Sequence, residues 1–245
     1  MKIALVDGNR IEAAEGLKGI CPVCDSEVIA KCGKFVINHW AHKAIRNCDP
    51  WWENETEWHR SWKNNFSIEW QEKILFDETE EKHIADVRTI HDLVIEFQHS
   101  HIHPDERIKR EKFYKHMVWV VDGTRLQRDY LRFLNGLLDT DMQGSKECFP
   151  AAWVGSSVPV IFDFKGTEII NDEKHILNRL CVLYPTSSGK EITLRWITRE
   201  SFITKTKNGE VFKKQQEPKK QIAKPLVRNN ITLWVRGRPN RRRLR

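Results

Sequence analysis

The chain has 245 residues, of which 40% are hydrophobic, and a formal net charge of +7. This length suits one sizeable domain with a small accessory domain, or two modest domains, and the composition excludes a disordered chain. No apolar segment precedes the first charges as in a signal peptide, and no apolar run approaches the ~20 residues that span a bilayer, so we expect a cytoplasmic protein without a membrane partner.

The positive charge is concentrated at the C-terminus. Residues 211–245 hold five Lys and seven Arg against one Glu, a net charge of +11, so the other 210 residues together carry −4. The segment ends in a basic tail, residues 236–245, that contains Arg241, Arg242 and Arg243. Such a tail favours polyanions through counterion release and does not read sequence, so DNA is the expected partner. The alternative is a solvated tail with no dedicated partner.

The first 50 residues combine a predicted strand, residues 2–6 with the turn signal Asp7-Gly8, and a group of metal-ligating side chains. The candidate ligands are Cys21, Cys24, His39 and His42, with Cys32 and Cys48 as substitutes for either histidine. A C-x2-C-x14-H-x2-H pattern predicts a structural zinc ion that stabilises the fold and takes no part in chemistry. Redox use of the C-x-x-C pair, which requires a helix that begins there, and incidental cysteines are the alternatives.

The next predicted elements are a helix at 53–66, a strand at 68–76 and a β-hairpin. The helix carries aromatic side chains at steps of four, which places them on one face: Trp58, Trp62 and Phe66. The hairpin strands, 84–90 and 93–99, flank the turn signal His91-Asp92. In each strand the residues alternate between an apolar side, with Ala85 and Val87 together on the first strand, and a polar side that bears acids.

A crossover unit follows the hairpin. Pro104 opens a charged helix that extends to about residue 116, and residues 117–121 form an apolar run typical of a strand buried on both faces. Strand, helix and buried strand in this order predict an α/β fold with a mixed sheet flanked by helices. A helix at 128–138 and strands near 158–164, 177–184 and 192–196 complete the prediction.

Two acids and an amide are brought together by the hairpin: Asp86 on the first strand, and Glu96 and Gln98 on the second. Carboxylates on one rigid face can hold Mg²⁺ or Mn²⁺, which polarises a phosphate and activates a water molecule. For Asp86 to share a face with Glu96, the connection between the strands must have an odd number of residues, or a bulge must intervene. Exposed acids on a polar strand face would explain the same pattern.

The order of these motifs resembles the CoiA-like competence family over roughly residues 20–130. The segments that carry the resemblance are Cys21-Pro-Val-Cys24, Lys31-Cys-Gly-Lys34, His39-Trp-Ala-His42, Glu55-Thr-Glu-Trp-His59 with Lys63, Ala85-Asp-Val87, Ile95-Glu-Phe-Gln-His-Ser100 and Met117-Val-Trp-Val-Val-Asp122. The resemblance implies a restriction-endonuclease-like core of the PD-(D/E)xK kind and a nuclease that processes incoming or recombining DNA.

By position, the resemblance assigns Asp86 and Glu96 as ligands of the catalytic metal and Glu55 as an additional acid. Gln98 stands where such enzymes usually have Lys, and Gln supplies hydrogen bonds but no charge. Either Lys63 or Arg88 therefore supplies the positive charge, or the site is inactive.

Further candidate residues lie on the two predicted helices. His59 is one turn after Glu55, so both side chains can face the site, and a packed or solvent-exposed histidine is the alternative. On the crossover helix, Arg107, Arg110, Lys112 and Lys115 can meet a nucleic-acid backbone, and a solvated helix face is the alternative. Arg110 and Tyr114 are one turn apart, a spacing that resembles the helix motif of some RecB-like nucleases.

The predicted domains are a zinc-binding module (1–50), a nuclease-like core (51–140), an α+β region of unknown role (141–235) and the basic tail (236–245). Three functions fit the sequence: a metal-dependent DNA nuclease, a catalytically weak DNA-binding protein with the same fold, and an adaptor for recombination or competence proteins.

Overall fold

A computed structural model of the chain describes residues 1–44, 48–51, 53–125, 149–164, 167–170, 173–176, 179–185 and 192–212. The described residues belong to one compact unit, Met1–Lys213. The predicted helix at 128–138 and the basic tail with Arg241, Arg242 and Arg243 lie outside the described residues. The division into four domains stays a prediction.

The N-terminal part is a five-stranded antiparallel sheet with the strand order β2-β1-β3-β4-β5. Its strands are β1 (Ile3–Val6), β2 (Asn9–Glu12), β3 (Lys18–Ile20), β4 (Glu27–Gly33) and β5 (Val36–His42). Asp7 and Gly8 both have positive φ and join Val6 to Asn9 as a two-residue hairpin turn, so the predicted strand and turn are confirmed. The sheet packs on a small core that includes Val28 and Trp40.

A seven-stranded mixed sheet with the strand order β14-β13-β10-β9-β8-β7-β6 forms the larger part. Its strands are β6 (Gln71–Phe76), β7 (Lys82–Arg88), β8 (Val94–Gln98), β9 (Met117–Asp122), β10 (Val160–Asp163), β13 (Arg179–Tyr184) and β14 (Thr193–Thr198). A separate hairpin consists of β11 (Thr167–Ile170) and β12 (Glu173–Ile176). The seven-stranded sheet contains strands from both sides of residue 140, β9 before it and β10 after it.

Four helices among the described residues accompany this sheet. The described helices are α1 (Glu57–Lys63), α2 (Pro104–Tyr114), α3 (Ala151–Val154) and α4 (Arg199–Lys207). β8 and β9 are parallel and joined by α2, which confirms the predicted crossover unit. Every residue of β9 is buried, as its apolar run predicted. The longest described helix, α2, has 11 residues and is rich in charge, and none of the described helices could cross a membrane.

Two apolar cores cover the two faces of the large sheet. Residues that alternate along β9 divide between them: Trp119 packs in one core and Val120 in the other. The second core contains Trp58, Trp62 and Phe66, as expected, although Phe66 lies beyond the end of α1. The sequence did not predict α3, α4 or the β11–β12 hairpin.

Helix α1 is shorter than the predicted helix at 53–66. Thr56 is its N-cap, and a capping box joins the Thr56 hydroxyl to the His59 amide and the His59 ring to the Thr56 amide. Glu55 therefore precedes the helix rather than lying one turn before His59 on it. The predicted strand at 68–76 begins with a single 3₁₀ turn, Ile68–Trp70, before β6.

Candidate metal centre and acid pocket

Four side chains of the N-terminal part form a cluster with the geometry of a metal site. The cluster consists of Cys21, Cys24, His42 and Cys48, whose ligand atoms all lie within 4.8 Å of one another. The Sγ atoms of Cys21 and Cys48 are 3.7 Å apart, and Cys24 Sγ is 3.3 Å from His42 Nε2. Tetrahedral Zn–S bonds of about 2.3 Å place two sulfur atoms about 3.8 Å apart, so the cluster is consistent with a structural zinc ion.

Cys48, and not His39, is the fourth member of the cluster. His39 and His42 both lie on β5, and successive side chains of a strand point to opposite faces, so two residues three apart cannot converge on one ion. His42 lies across from Val28 on the core side, whereas His39 lies across from Lys31 and its Nδ1 contacts the Ile37 carbonyl at 2.8 Å. The prediction of His39 as a ligand is wrong for this reason.

The thiols of the cluster differ in acidity. Burial acts to raise the pKa of Cys24, but hydrogen bonds from Ser26 and His42 outweigh it and hold this pKa at about 6. Burial, and then the neighbouring Cys21, raise the pKa of Cys48 to about 12. Metal binding to this cluster would therefore release protons, chiefly from the less acidic thiols.

A second candidate site lies where β6, β7 and β8 run side by side. The register joins Gln71 to Val87 and Lys73 to Ala85, so Glu72 lies across from Asp86. Likewise, Arg88 pairs with Val94, which places Asp86 across from Glu96. Three carboxylates thus form one row across three adjacent strands.

The connection between β7 and β8 gives this row its alignment. Five residues, 89–93, separate the paired residues Arg88 and Val94, and the Thr89 amide donates to the Leu93 carbonyl at 2.9 Å. Asp92 has a φ of 60°, the left-handed conformation that three-residue hairpin loops use. The number of residues is odd, so the condition that the sequence set for a shared site is confirmed, and the two-residue turn at His91-Asp92 is not formed.

Carboxylates replace part of the backbone ladder at this row. The Asp86 amide donates to Glu96 Oε1 at 3.1 Å, and the Phe97 amide donates to Asp86 Oδ2 at 2.9 Å. Glu72 has a φ of 46°, which is rare for a residue with a side chain. The alternation of β7 also changes here, since Ala85 packs in one apolar core and Val87 in the other, contrary to the prediction that they share a face.

A cavity of about 60 Å³ opens at the row of acids. It is lined by acids, by bases and by a few apolar residues: Met1, Asp49, Trp51, Glu53, Glu55, His59, Lys63, Glu72, Ile84, Asp86, Glu96, Phe97 and Arg110. Since one water molecule needs roughly 10–15 Å³ of such space, the cavity can hold an ion with a few water molecules and not a nucleotide.

Lys63 supplies the central positive charge of the acid pocket. Its Nζ lies 2.8 Å from Asp86 Oδ1, 3.2 Å from Glu72 Oε1 and 3.5 Å from Glu55 Oε1. Burial acts to lower the pKa of Lys63, but Asp86, Glu72 and Glu55 outweigh it and raise this pKa well above its ordinary value. Burial of Glu72 is likewise outweighed, chiefly by Lys63, and its pKa falls to about 2.

Glu96 is held by a second base, Arg110 of α2. Arg110 Nη1 donates to Glu96 Oε2 at 3.1 Å, and its Nη2 donates to the Trp51 carbonyl at 2.6 Å. Glu96 is nevertheless so buried, and so close to Asp86, that its pKa rises to about 8. Burial and the nearby Asp86 thus favour the protonated form of Glu96, and a further cation would favour the ionised form.

Gln98 does not face Lys63. Its Nε2 donates to Glu53 Oε2 at 2.8 Å and to the Ser100 carbonyl at 3.2 Å. His59 lies beside this group, with Nε2 3.1 Å from the Phe97 carbonyl and Nδ1 3.2 Å from the Thr56 amide. Because Nδ1 accepts from Thr56, Nε2 carries the proton and donates to Phe97. Both ring nitrogens thus have partners within the protein.

Several residues predicted to bind nucleic acid are directed elsewhere. Arg107 is buried and pairs with Glu111, and Tyr114 is buried beside Trp51. Arg88 is on the surface, paired with Asp92 at 2.7 Å, so of the two suggested sources of charge only Lys63 reaches the acids. Arg110 faces Glu96 and not solvent.

Glu72, Glu53 and Asp49 line the pocket, and sequence analysis did not select them. Glu72 lies at the beginning of β6, and Asp49 accepts hydrogen bonds from His83 and from the Ile84 amide. No local pattern marks these acids, since their partners lie on other strands. The positive φ of Glu72 is visible only in the structure.

Comparison with known proteins bears on the N-terminal part. Residues 8–50 match the family model of competence protein CoiA, N-terminal domain. The resemblance to CoiA is thereby confirmed over the segment that contains all four side chains of the metal cluster. Neither curated proteins nor solved structures gave a match.

Proposed function

We propose that the protein is a metal-dependent DNA nuclease of the PD-(D/E)xK kind. The observation that carries the proposal is the row of Glu72, Asp86 and Glu96 across three adjacent strands, beside Lys63, in a cavity of about 60 Å³. Acids and a lysine around an ion-sized space are what phosphodiester hydrolysis requires. Glu72 also accepts hydrogen bonds from the Lys2 and Ile3 amides, so it anchors the N-terminal strand beside the row, and Asp86 and Glu96 are the acids proposed to bind the ion.

The cavity suits a hard divalent cation bound by few protein ligands. Mg²⁺ is commonly held by one or two carboxylates and retains several water molecules. Asp86 and Glu96 would provide those carboxylates, and Asp86 is the more accessible of the two, with 23% of its side chain exposed against 4% for Glu96. A cation bound there would offset the burial and the nearby Asp86 charge that raise the pKa of Glu96.

When bound, Mg²⁺ or Mn²⁺ would polarise the phosphate and lower the pKa of an attacking water. Lys63 would place a positive charge beside that water, the role for which Gln98 is unsuited. Glu55 and Glu72 would orient Lys63, and Arg110 would orient Glu96. His59 and Gln98 would act as positioning residues, because their contacts fix α1, the end of β8 and Glu53.

DNA is the proposed substrate for two reasons. The family model that matches residues 8–50 is that of a competence protein, which points to a role in the processing of incoming or recombining DNA. The basic tail would add affinity for a polyanion without reading its sequence. The zinc ion would stabilise the N-terminal sheet and take no part in hydrolysis.

Cleavage assays test the proposal. Purified protein is incubated with single-stranded DNA, duplex DNA and RNA, with Mg²⁺, with Mn²⁺ or with no added divalent ion. We expect cleavage of DNA that depends on the ion and is lost in Asp86→Ala and in Glu96→Ala, with the double variant little worse than either single one. Glu15→Ala, at an exposed acid of the N-terminal part, is the matched control and should cleave normally.

Cleavage that survives both alanine substitutions would refute this site. DNA binding without cleavage under every ion condition would instead support the catalytically weak DNA-binding protein. An adaptor for recombination or competence proteins would show neither activity.

A further inference from the structure

The β4–β5 hairpin carries the most exposed apolar side chain among the described residues. Phe35 is 99% exposed, and its neighbour Val36 is 52% exposed. Gly33 pairs with Val36, so Lys34 and Phe35 are the two residues of the turn. Gly, Asn and Asp are the residues that such turns favour, and an aromatic ring contributes nothing to the turn itself. The ring is therefore available to a partner.

The hairpin borders a cleft of about 320 Å³ that adjoins the acid pocket. The cleft is lined by Met1, Phe35, Val36, Ile37, His39, Asn54 and Glu55. Met1 and Glu55 also line the 60 Å³ cavity, so the two spaces adjoin at these residues. Since the smaller cavity cannot hold a nucleotide, a phosphodiester would have to approach the acids from a neighbouring space such as this cleft.

The charges along the cleft are complementary to a nucleic-acid backbone. Lys31 lies directly across from His39, which lines the cleft, so both side chains project from the same face of the hairpin. Lys34 adds an exposed ammonium group at the tip. Glu55, the acid at the cleft floor, is paired with Arg60 at 2.6 Å and with Lys63 at 3.5 Å, which offsets its negative charge.

Arg60 fixes the hairpin with respect to the acid pocket. Its Nη2 donates to the Asn38 carbonyl of β5 at 2.9 Å and to Glu55 Oε2 at 2.6 Å. The same helix provides Lys63 at the centre of the acids. The hairpin is thus attached to the helix that bears the central lysine, and its tip keeps a set position relative to the acids.

We propose that the β4–β5 hairpin binds single-stranded DNA, with the Phe35 ring stacked on an unpaired base and with Lys31, Lys34 and His39 on the adjacent phosphates. A ring that stacks needs the open face of a base, which a duplex covers with its neighbouring base pairs. The inference rests on the proposed function for the choice of DNA. It gives that function a substrate class: single strands, or the unpaired ends of duplexes.

The test measures binding apart from cleavage. Fluorescence anisotropy of labelled oligothymidine and of a matched duplex is recorded for the full chain without added divalent ion. We expect Phe35→Ala to weaken binding of the single strand about tenfold, Phe35→Tyr to stay within about twofold of the wild type, and neither to alter duplex binding. Phe76→Ala, at an aromatic residue that is 66% exposed on β6, is the matched control and should change nothing.

A second readout locates the contact. An oligonucleotide with 5-iodouracil should cross-link to the peptide that contains Phe35, and the link should disappear in Phe35→Ala. Unchanged affinity for the single strand, or equal losses for single strand and duplex, would overturn the inference. A change in oligomeric state without a change in affinity would also overturn it, since Phe35 would then serve contacts between copies of the chain.

Failure of the two proposals can be told apart. If the protein binds single strands through Phe35 but cleaves nothing, the proposal for the hairpin is supported and the proposal of a nuclease is refuted. If cleavage requires Asp86 and single-strand binding does not change in Phe35→Ala, the proposal of a nuclease is supported and the proposal for the hairpin is refuted.

Discussion

At Lys63, one ammonium group is shared among carboxylates from three separate parts of the chain: Glu55 before α1, Glu72 on β6 and Asp86 on β7. The side chain of Lys63 is only 6% exposed, so water screens these interactions weakly. The lysine holds the place that a cation would otherwise occupy beside the acids. Its removal should therefore reveal how strongly the acids require positive charge.

Lys63→Met should lower the free energy of unfolding by about 3–5 kcal/mol in the absence of divalent ions, because it leaves buried carboxylates without their partner. Mg²⁺ should restore part of this loss, and more for the variant than for the wild type. Urea unfolding with and without Mg²⁺ measures both effects. Lys43→Met, which removes an exposed partner of Glu27, should change stability by less than about 0.5 kcal/mol. Equal effects of the two substitutions would contradict the role given to Lys63.

Glu96 gives the protein a pH dependence of definite sign. Its pKa of about 8 in the folded state is higher than the ordinary value of 4.5, so between these values the folded state binds a proton that the unfolded state has lost. The stabilisation is complete below the ordinary pKa and declines as pH rises toward 8. Glu96→Gln cannot lose a proton, so its free energy of unfolding should fall less between pH 6 and pH 8.5.

Urea unfolding across this pH range, without added Mg²⁺, tests the dependence on Glu96. Glu15→Gln, at an exposed acid, should retain the slope of the wild type. A slope that is the same in Glu96→Gln and in the wild type would show that Glu96 titrates as an ordinary acid in the folded protein. Added Mg²⁺ should reduce the wild-type slope, because the ion favours the ionised carboxylate.

The sequence predicted part of this acid row, and the reason is local. Asp86 and Glu96 stand in strands with clear alternation, so their strands and their shared hairpin could be inferred. Glu72 belongs to the row only because β6 pairs with β7, and no pattern near residue 72 indicates that pairing. Phe35 likewise gave no signal, since an aromatic residue in a sequence is more commonly part of a core.

At the scale of single elements, β5 decides which histidine joins the metal cluster. The spacing of His39 and His42 suits two ligands on a turn or helix, but both residues lie on an extended strand. The sequence predicted a metal site from these side chains, with Cys48 as a substitute ligand, and the geometry of the cluster is consistent with such a site. It could not choose between His39 and Cys48, because that choice depends on whether the histidine pair is extended.

His42→Ala should remove zinc, whereas His39→Ala should retain it. His42 Nε2 lies 3.3 Å from Cys24 Sγ, while the His39 ring lies on the opposite face of the strand. The zinc content of each purified variant, measured by elemental analysis, should be about one equivalent for His39→Ala and well below that for His42→Ala. His42→Ala should also unfold at lower temperature, because a structural ion contributes folding energy. Zinc loss in His39→Ala with retention in His42→Ala would reverse the assignment.

Helix α2 shows a second limit of sequence patterns at this scale. Its buried face carries Arg107, Arg110 and Glu111, while Ile108 is 38% exposed. Hydrophobic periodicity assigns arginines to solvent, so they were expected to meet a nucleic-acid backbone. Buried acids reverse this expectation: Arg110 pairs with Glu96 of β8, and Arg107 pairs with Glu111 of the same helix.

At the scale of the whole compact unit, residues 48–51 and 53–55 lie between the metal cluster and the acid pocket. Cys48 belongs to the cluster, and the next residue, Asp49, accepts from the Ile84 amide of β7 at 2.8 Å. The Trp51 carbonyl then accepts from Arg110, and Glu53 accepts from Gln98. A zinc ion at the cluster would therefore stabilise the position of a segment that borders the acids. The sequence predicted an α/β core. It did not indicate this connection, which arises from contacts between residues that are distant in the chain.

The basic tail is the largest electrostatic feature of the chain, and its effect should be uniform over DNA sequences. Deletion of residues 236–245 removes six arginines and no acid. If each arginine contacts a phosphate of a single strand, the slope of log affinity against log salt should become shallower by up to about 4. Binding should weaken by a similar factor for oligonucleotides of unrelated sequence, because phosphate contacts carry no sequence information.

Anisotropy titrations at several salt concentrations, with the deletion variant and with the full chain, measure the contribution of the tail. A variant in which the six arginines are replaced by lysine is the matched control, since it preserves charge and should keep the slope. Metal-dependent cleavage at saturating DNA should be unaffected by the deletion, because the proposed catalytic groups all belong to residues 55–110. An unchanged salt dependence would show that the tail does not contribute to DNA binding. The affinity for DNA would then have to come from the hairpin and the cleft beside it.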